Sequence, residues 1–341
     1  MEPRIAALQE AIIGWYRANG RDLPWRRTRD PYAILVSELM LQQQTVRHVT
    51  PVYLRFLERF PDLASLAAAS RAEVIRIWQP LGRYASAVRL HAIARHLMHE
   101  RGGDVPRTVE ALLELGGIGP YTAGAVACFA FEQPAPLVDT NVRRVLRRLF
   151  GAQLPAGAAG DRTIWRLAEE LLPAAGAYEW NQGLIDLGAA VCVARTPRCS
   201  ACPVTAWCDF AAPATAATAD SLAPDPPPSP YAGAAPASNG AGGGARTIAE
   251  TRAPYGASPA PRPPIRYEGS RRWYRGQIMQ ALCHLPPGEA LPLEDLGRRL
   301  ALDATPEGRA LLDDLLAALA RDGLLCLESR SGGAVWLTLP D

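Results

Sequence analysis

Four cysteines within 17 residues constrain this chain more than any other feature. Cys192, Cys199, Cys202 and Cys208 follow the spacing C-x6-C-x2-C-x5-C in "CVARTPRCSACPVTAWC". Four thiolates that converge can share one metal centre, so the segment is expected to fold as a loop around a single point. A disulfide pair is disfavoured in a cytoplasmic chain. A structural zinc site is the simplest alternative, but the spacing lacks the paired C-x2-C knuckles usual for zinc. The other three cysteines, Cys128, Cys283 and Cys326, are isolated and read as packing residues.

Before the cysteines, apolar residues recur with helical period near 5–18, 31–44, 48–59, 71–79, 83–100, 108–114, 121–131, 141–150, 161–172 and 179–190. Strand-like alternation is scarce, which predicts a mainly α-helical globule over 1–210. Composition changes abruptly at 211–265, where "PDPPPSPYAGAAPASNGAGGGARTIAE" holds few large apolar residues. Such a stretch cannot bury enough surface to order itself and reads as a disordered linker. Residues 266–341 carry the amphipathic segments "RRWYRGQIMQALCHL" and "GRALLDDLLAALARDGLL", then two β-rich runs around Ser-Gly-Gly. Helices followed by a two-stranded wing fit a winged-helix-like α+β module, and a generic small α+β domain fits as well.

Charge and targeting narrow the function classes. Residues 1–210 hold 24 arginines against 20 carboxylates, which allows nucleic-acid binding without demanding it. Every one of the 36 basic residues is arginine. No lysine is available for a Schiff base, so chemistry through a lysine nucleophile is excluded. No apolar run is long enough to span a membrane, and the N-terminus lacks a signal-peptide pattern. A cytoplasmic monomer, associated with the nucleoid, is expected.

Three further positions carry chemistry. Glu38 sits inside "ILVSELMLQQQTV", whose apolar residues cover most of a helix circumference. A carboxylate there lies on an exposed edge, is paired with an arginine, or has its pKa forced upward. The segment "LLELGGIGPYTAGAVACFAF" joins two helical patterns through Gly116-Gly117-Ile118-Gly119. No strand precedes it, so a dinucleotide-binding reading fails. A helix, a glycine turn and a second helix instead let backbone N–H groups at Gly117 and Gly119 approach a phosphate. Asp139 lies twenty residues past Gly119 in "PLVDTNVRRVLRRLF". It suits a helix N-cap, whatever else it does.

The glycine turn, the trailing aspartate and the cysteine loop occur in the order that resembles the helix-hairpin-helix DNA glycosylase superfamily over roughly residues 5–210. The cysteine spacing is similar to the [4Fe–4S] loop of its endonuclease III and MutY branch. The segments "LPWRRTRDPYAILVSELMLQQQTV" and "VDTNVRRVLRRL" resemble the MutY-type adenine DNA glycosylases. That resemblance implies a two-lobed helical domain with an Fe–S loop and a [4Fe–4S] cluster on Cys192, Cys199, Cys202 and Cys208. Its partner is expected to be double-stranded DNA with adenine mispaired with 8-oxoguanine or guanine, as in base excision repair. It places the proton donor to adenine on Glu38, the oxocarbenium-stabilising carboxylate on Asp139, and a supporting hydroxyl on Tyr121. Tyr121 stands where the endonuclease III branch carries its lysine, so a monofunctional glycosylase is expected.

For DNA contacts the resemblance implies Gln42, Gln43, Arg83, Tyr84, Gly117, Gly119 and Asn141. The chain departs from the family pattern at this face. It reads Leu41-Gln42-Gln43-Gln44-Thr45 where the family reads Leu-Gln-Gln-Thr. Arg83 occupies the place of the family's wedging tyrosine, with Tyr84 one residue later. The 266–341 module does not resemble the family's nucleotide-hydrolase-like C-terminal domain. Its helix "GRALLDDLLAALARDG", with three acids, argues for a protein contact rather than a phosphate-facing surface. A thymine or uracil mismatch glycosylase and a non-catalytic Fe–S DNA-binding protein are the alternatives.

Overall fold

The structure, a computed structural model, describes residues 2–151, 154, 157–211, 267–330 and 334–341. All of the expected linker except residue 211 lies outside the described residues.

Eleven described helices precede the linker: α1 (Glu2–Asn19), α2 (Pro31–Leu41), α3 (Val46–Arg59), α4 (Leu63–Ala68), α5 (Arg71–Trp78), α6 (Tyr84–Arg101), α7 (Val109–Leu113), α8 (Pro120–Phe131), α9 (Thr140–Leu149), α10 (Gly157–Glu170) and α11 (Ala177–Ala190). They form two lobes with separate cores, as expected. One core gathers Leu35, Leu39, Val52, Phe56, Trp78, Leu97 and Val126 from α2 to α8. The other gathers Leu8, Ile12, Val142, Leu146, Ile164, Trp180 and Leu187. The chain thus returns its first helix, α1, to pack on α11 in the second lobe.

Local sequence sets the helix ends. Asp30 caps α2 by accepting from the N–H groups of Tyr32 (3.0 Å) and Ala33 (3.4 Å), with Pro31 at the first helical position. Ser70 and Thr108 cap α5 and α7 in the same way. The apolar pattern through residue 44 predicts a longer α2 than forms. The helix stops at Leu41 because Gln43 takes a left-handed conformation with φ +58°. Helix α4, absent from the sequence-based pattern, is closed by a capping box between Asp62 and Ser65.

Beyond the linker lie α12 (Arg271–Cys283), β1 (Leu291–Pro292), α13 (Leu293–Leu300), α14 (Pro306–Arg321), β2 (Cys326–Ser329) and β3 (Val335–Thr338). Strands β2 and β3 form the expected hairpin, pairing Glu328 with Trp336. A third strand, β1, adds on the far side to give an antiparallel sheet in the order β1-β3-β2. Three helices with a three-stranded sheet and a terminal hairpin form a winged-helix-like arrangement.

The two modules are not separate bodies on a tether. Ala72, Ile75 and Tyr84 of the helical part share one core with Ile278, Met279, Leu282, Leu315 and Leu337. Helix α12 packs on α5 and on the turn at Gln79–Leu81.

Candidate active site

Three sequence-selected groups meet where the lobes join. Helix α2 is buried along Tyr32–Met40, and Glu38 is only 6% exposed. Neither bland expectation, an exposed edge or an arginine ion pair, describes Glu38. Burial first, then the negative charge of Asp139, raises its pKa to about 7, against the partial relief of Arg26 and a hydrogen bond from Tyr121. Tyr121 enters from the first turn of α8, which packs against α2. Burial and the two nearby carboxylates push its phenol far above the ordinary range, so it stays protonated and donates to Glu38.

Asp139 caps α9. Its Oδ1 accepts from the Val142 N–H at 2.7 Å, and its Oδ2 accepts from Asn141 Nδ2 at 3.2 Å. Burial raises its pKa, while these donors and the charge of Arg144 pull in the opposite direction. The cap and the candidate catalyst are therefore the same group. Asn141 is itself held, because Arg144 Nη2 donates to Asn141 Oδ1 and to the Gly188 carbonyl, both at 2.8 Å.

Sequence reasoning passed over several supports of this site. Gly188 lets α11 lie directly against the start of α9: a Cβ there would sit 2.6 Å from the Asn141 Cβ and 3.1 Å from its backbone. Asp186, 1% exposed, accepts from Arg26 Nη1 and Nη2 at 2.8 and 2.9 Å and from Arg21 Nε at 2.7 Å. This clamp fixes Arg26 beside Glu38 and Tyr121. Its only sequence signal was an acid in an otherwise apolar helix face, the signal that singled out Glu38.

The hairpin forms as expected between α7 and α8. Gly117 has φ +86° and Gly119 precedes α8 without a side-chain cap, leaving first-turn N–H groups of α8 open. Gly117 also has Arg89 of α6 packed against it, where a Cβ would collide.

The expected opposite-base residues divide. Gln42 ends α2, and Gln43 is exposed and accepts a hydrogen bond from Arg83 Nη1. The extra residue of this loop, Gln44, donates from Nε2 to the Leu81 carbonyl at 2.7 Å, tying the loop to the turn before α6. Tyr84 departs from expectation. It is 8% exposed inside the core shared with the C-terminal module, so its ring faces protein rather than DNA.

The four cysteines line one small pocket with Arg148, Pro197 and Phe210. Arg148 Nη1 lies 3.3 Å from Cys192 Sγ and donates to the Val193 carbonyl at 2.8 Å, and the Cys208 thiol approaches the Arg148 carbonyl at 3.3 Å. Among the described residues no set of three such ligands is closed to metal-binding geometry. Four cysteines on one pocket match a thiolate-bound centre in number, and Arg148 supplies a cation beside them. No described helix is long and apolar enough to cross a membrane.

Residues 36–171, which contain Glu38, Tyr121 and Asp139, match the model of the HhH-GPD superfamily of base excision DNA repair proteins. A thymine-DNA glycosylase of Aeropyrum pernix is 40% identical over 212 residues, covering 61% of this chain and 95% of that one. The chain belongs to the HhH-GPD superfamily. An adenine DNA glycosylase of Mycolicibacterium smegmatis is 46% identical over 195 residues, covering 57% of this chain and 66% of its own length. The chain spans 39% of the length of the human adenine DNA glycosylase that it matches at 41% identity, and 66% of the Mycolicibacterium one. A solved thermostable thymine-DNA glycosylase superposes with a TM-score of 0.57 at 32% identity, over 62% of this chain and 97% of that one. The family membership agrees with the two-lobed helical fold and with the hairpin between α7 and α8.

Proposed function

We propose that this chain is a monofunctional adenine DNA glycosylase that hydrolyses the N-glycosidic bond of adenine mispaired with 8-oxoguanine or guanine in duplex DNA. The observation that carries the reading is Glu38: a buried carboxyl with a pKa near 7, held by Tyr121 beside Asp139. Leaving-group departure from a purine is assisted by protonation at a ring nitrogen, N7 of adenine. A carboxyl with a pKa near ambient pH is an effective donor for that proton. Thymine and uracil offer no N7, so this acid suits a purine better than a pyrimidine.

As the bond breaks, positive charge develops on the sugar. Asp139 is the group to meet it, as an ion-pair partner or as a transient covalent trap before water attacks. Its hydrogen bonds to Val142 and Asn141 favour the ionised form against the cost of burial. Adenine must leave the helical stack to reach this pair, with the hairpin N–H groups holding the backbone meanwhile. The absence of lysine leaves no lysine amine to open the abasic product by β-elimination.

Cys192, Cys199, Cys202 and Cys208 would hold a [4Fe–4S] cluster, which would cross-link the loop after α11 to α9 through Arg148. Residues 1–210 form the catalytic unit, 211–265 the linker and 266–341 the accessory module, working at the nucleoid.

The test is base release from duplexes bearing A:8-oxoG, A:G, T:G and U:G, with alkali to reveal abasic sites. Release of adenine alone is the expected result. Cutting at T or U with adenine left intact assigns the chain to mismatch pyrimidine repair instead. Binding without release from any duplex removes the enzymatic reading.

A further inference from the structure

The 266–341 module brings arginine to a place already rich in it. Helix α12 carries Arg271, Arg272 and Arg275. Two of these are matched inside the module: Arg271 faces Asp314 at 3.5 Å, and Arg275 pairs with Asp322 at 2.7 Å. Arg272 is exposed and belongs to no ion pair among the described residues. The charge of Arg272 instead acts on Arg83 across the junction between the modules. Arg89 also acts on Arg83 and lies against hairpin Gly117.

Arg272 thus lies within electrostatic reach of Arg83, as Arg89 does, and no described ion pair includes any of the three. The docking of α12 on α5 and on the turn before Arg83 enforces this. Burial and these two like charges push the Arg83 pKa downward, so the cluster is held against its own repulsion. Its Nε is buried without a partner, and its remaining visible hydrogen bond goes to Gln43, a non-glycine residue in a left-handed conformation. Like charges assembled by two modules, next to a turn whose N–H groups are open, suit an anion shared by both. On a hairpin that grips duplex backbone, that anion is a phosphodiester.

We propose that Arg272 of the C-terminal module, Arg83 and Arg89 form a composite binding site for the phosphate backbone of duplex DNA, beside the hairpin at Gly117. Helix α12 thereby extends the DNA surface. This rests on the chain being a DNA-binding member of its family.

The test compares full-length wild type, Arg272→Gln and Arg271→Gln by fluorescence anisotropy on one A:G duplex over a series of salt concentrations. Both positions are exposed and both substitutions remove one charge, so neither is expected to unfold the module. One lost phosphate contact should make the slope of log affinity against log salt shallower by about 0.9 in Arg272→Gln. The Arg271→Gln slope should match wild type, because that charge is already matched by Asp314. An unchanged Arg272→Gln slope, or equal change in both variants, overturns the composite site while leaving glycosylase activity in place. A wild-type chain that binds no duplex overturns it together with the DNA-repair reading.

Discussion

Tyr121 donates its phenolic hydrogen to Glu38, joining the first turn of α8 to the middle of α2. The bond has two opposed effects on Glu38. It orients the carboxyl, and it stabilises the ionised form that burial resists. Glu38 is left near the middle of its titration at neutral pH, where a proton donor is both populated and willing.

Replacing Glu38 with Gln should therefore abolish the donor without disturbing shape. Single-turnover adenine release should fall by about 10²–10⁴-fold, the usual worth of a positioned acid. Affinity for the duplex should be retained. Normal turnover in Glu38→Gln would make Glu38 a structural residue.

The same substitution should change stability in a pH-dependent way. The pKa of Glu38 is raised on folding from 4.5 to about 7. Its contribution is complete below 4.5 and is lost as pH rises through 7. The full shift corresponds to at most about 3 kcal/mol at higher pH. Glu38→Gln should then unfold at a higher temperature than wild type at pH 8 and show little difference at pH 4.5. Calorimetry at the two pH values decides this.

Tyr121→Phe should move the alkaline limb of the activity profile upward. Loss of the hydrogen bond removes a factor that lowers the Glu38 pKa, so Glu38 stays protonated to higher pH. A pH–rate profile with an unmoved limb would show that Tyr121 only fills space.

Gly188→Ala tests the seat of Asp139. The new methyl would sit 2.6 Å from the Asn141 Cβ, with backbone atoms at 3.1 Å, so α9 must shift. A stability loss of about 1–3 kcal/mol is expected from overpacking. Adenine release should fall beyond the folded fraction, because the shift moves the cap that carries Asp139. Thermal melts and single-turnover rates separate the two effects.

Asp186→Asn should be more damaging to stability. Burial alone would raise the Asp186 pKa, but the hydrogen bonds and charge of Arg26, with those of Arg21, hold it below the usual carboxylate value. Removing the charge leaves Arg26 buried and unmatched, a loss of about 3–5 kcal/mol. In wild type this contribution is present at neutral pH and disappears as pH falls below the ordinary carboxylate range and through the lowered pKa. Denaturant titrations should show the wild-type advantage full at pH 7 and shrinking as pH falls below the ordinary carboxylate range.

Much of the site was legible because its signals are local. A carboxylate inside an apolar helix, a glycine turn before Pro120 and an aspartate at a helix start each declare themselves within a few residues. The cysteine spacing likewise marks a converging loop before any coordinates exist. The end of α2 was misplaced because a left-handed Gln43 is not encoded by hydrophobic period, which runs on to residue 44.

What the chain determined by itself was most of the helices, the cap at Asp139, and which side chains had chemistry unusual for their surroundings. What only the tertiary structure decided was which of these meet. Asp186 finds Arg26 across 160 positions, and Gly188 earns its role from Asn141 on another helix. Tyr84, which the family resemblance put on the DNA face, is covered by a module that begins nearly two hundred residues later. Periodicity reports that a face is buried, because each residue's cost of exposure is its own. It does not report what buries it, because the partner is chosen by the packing of the whole chain.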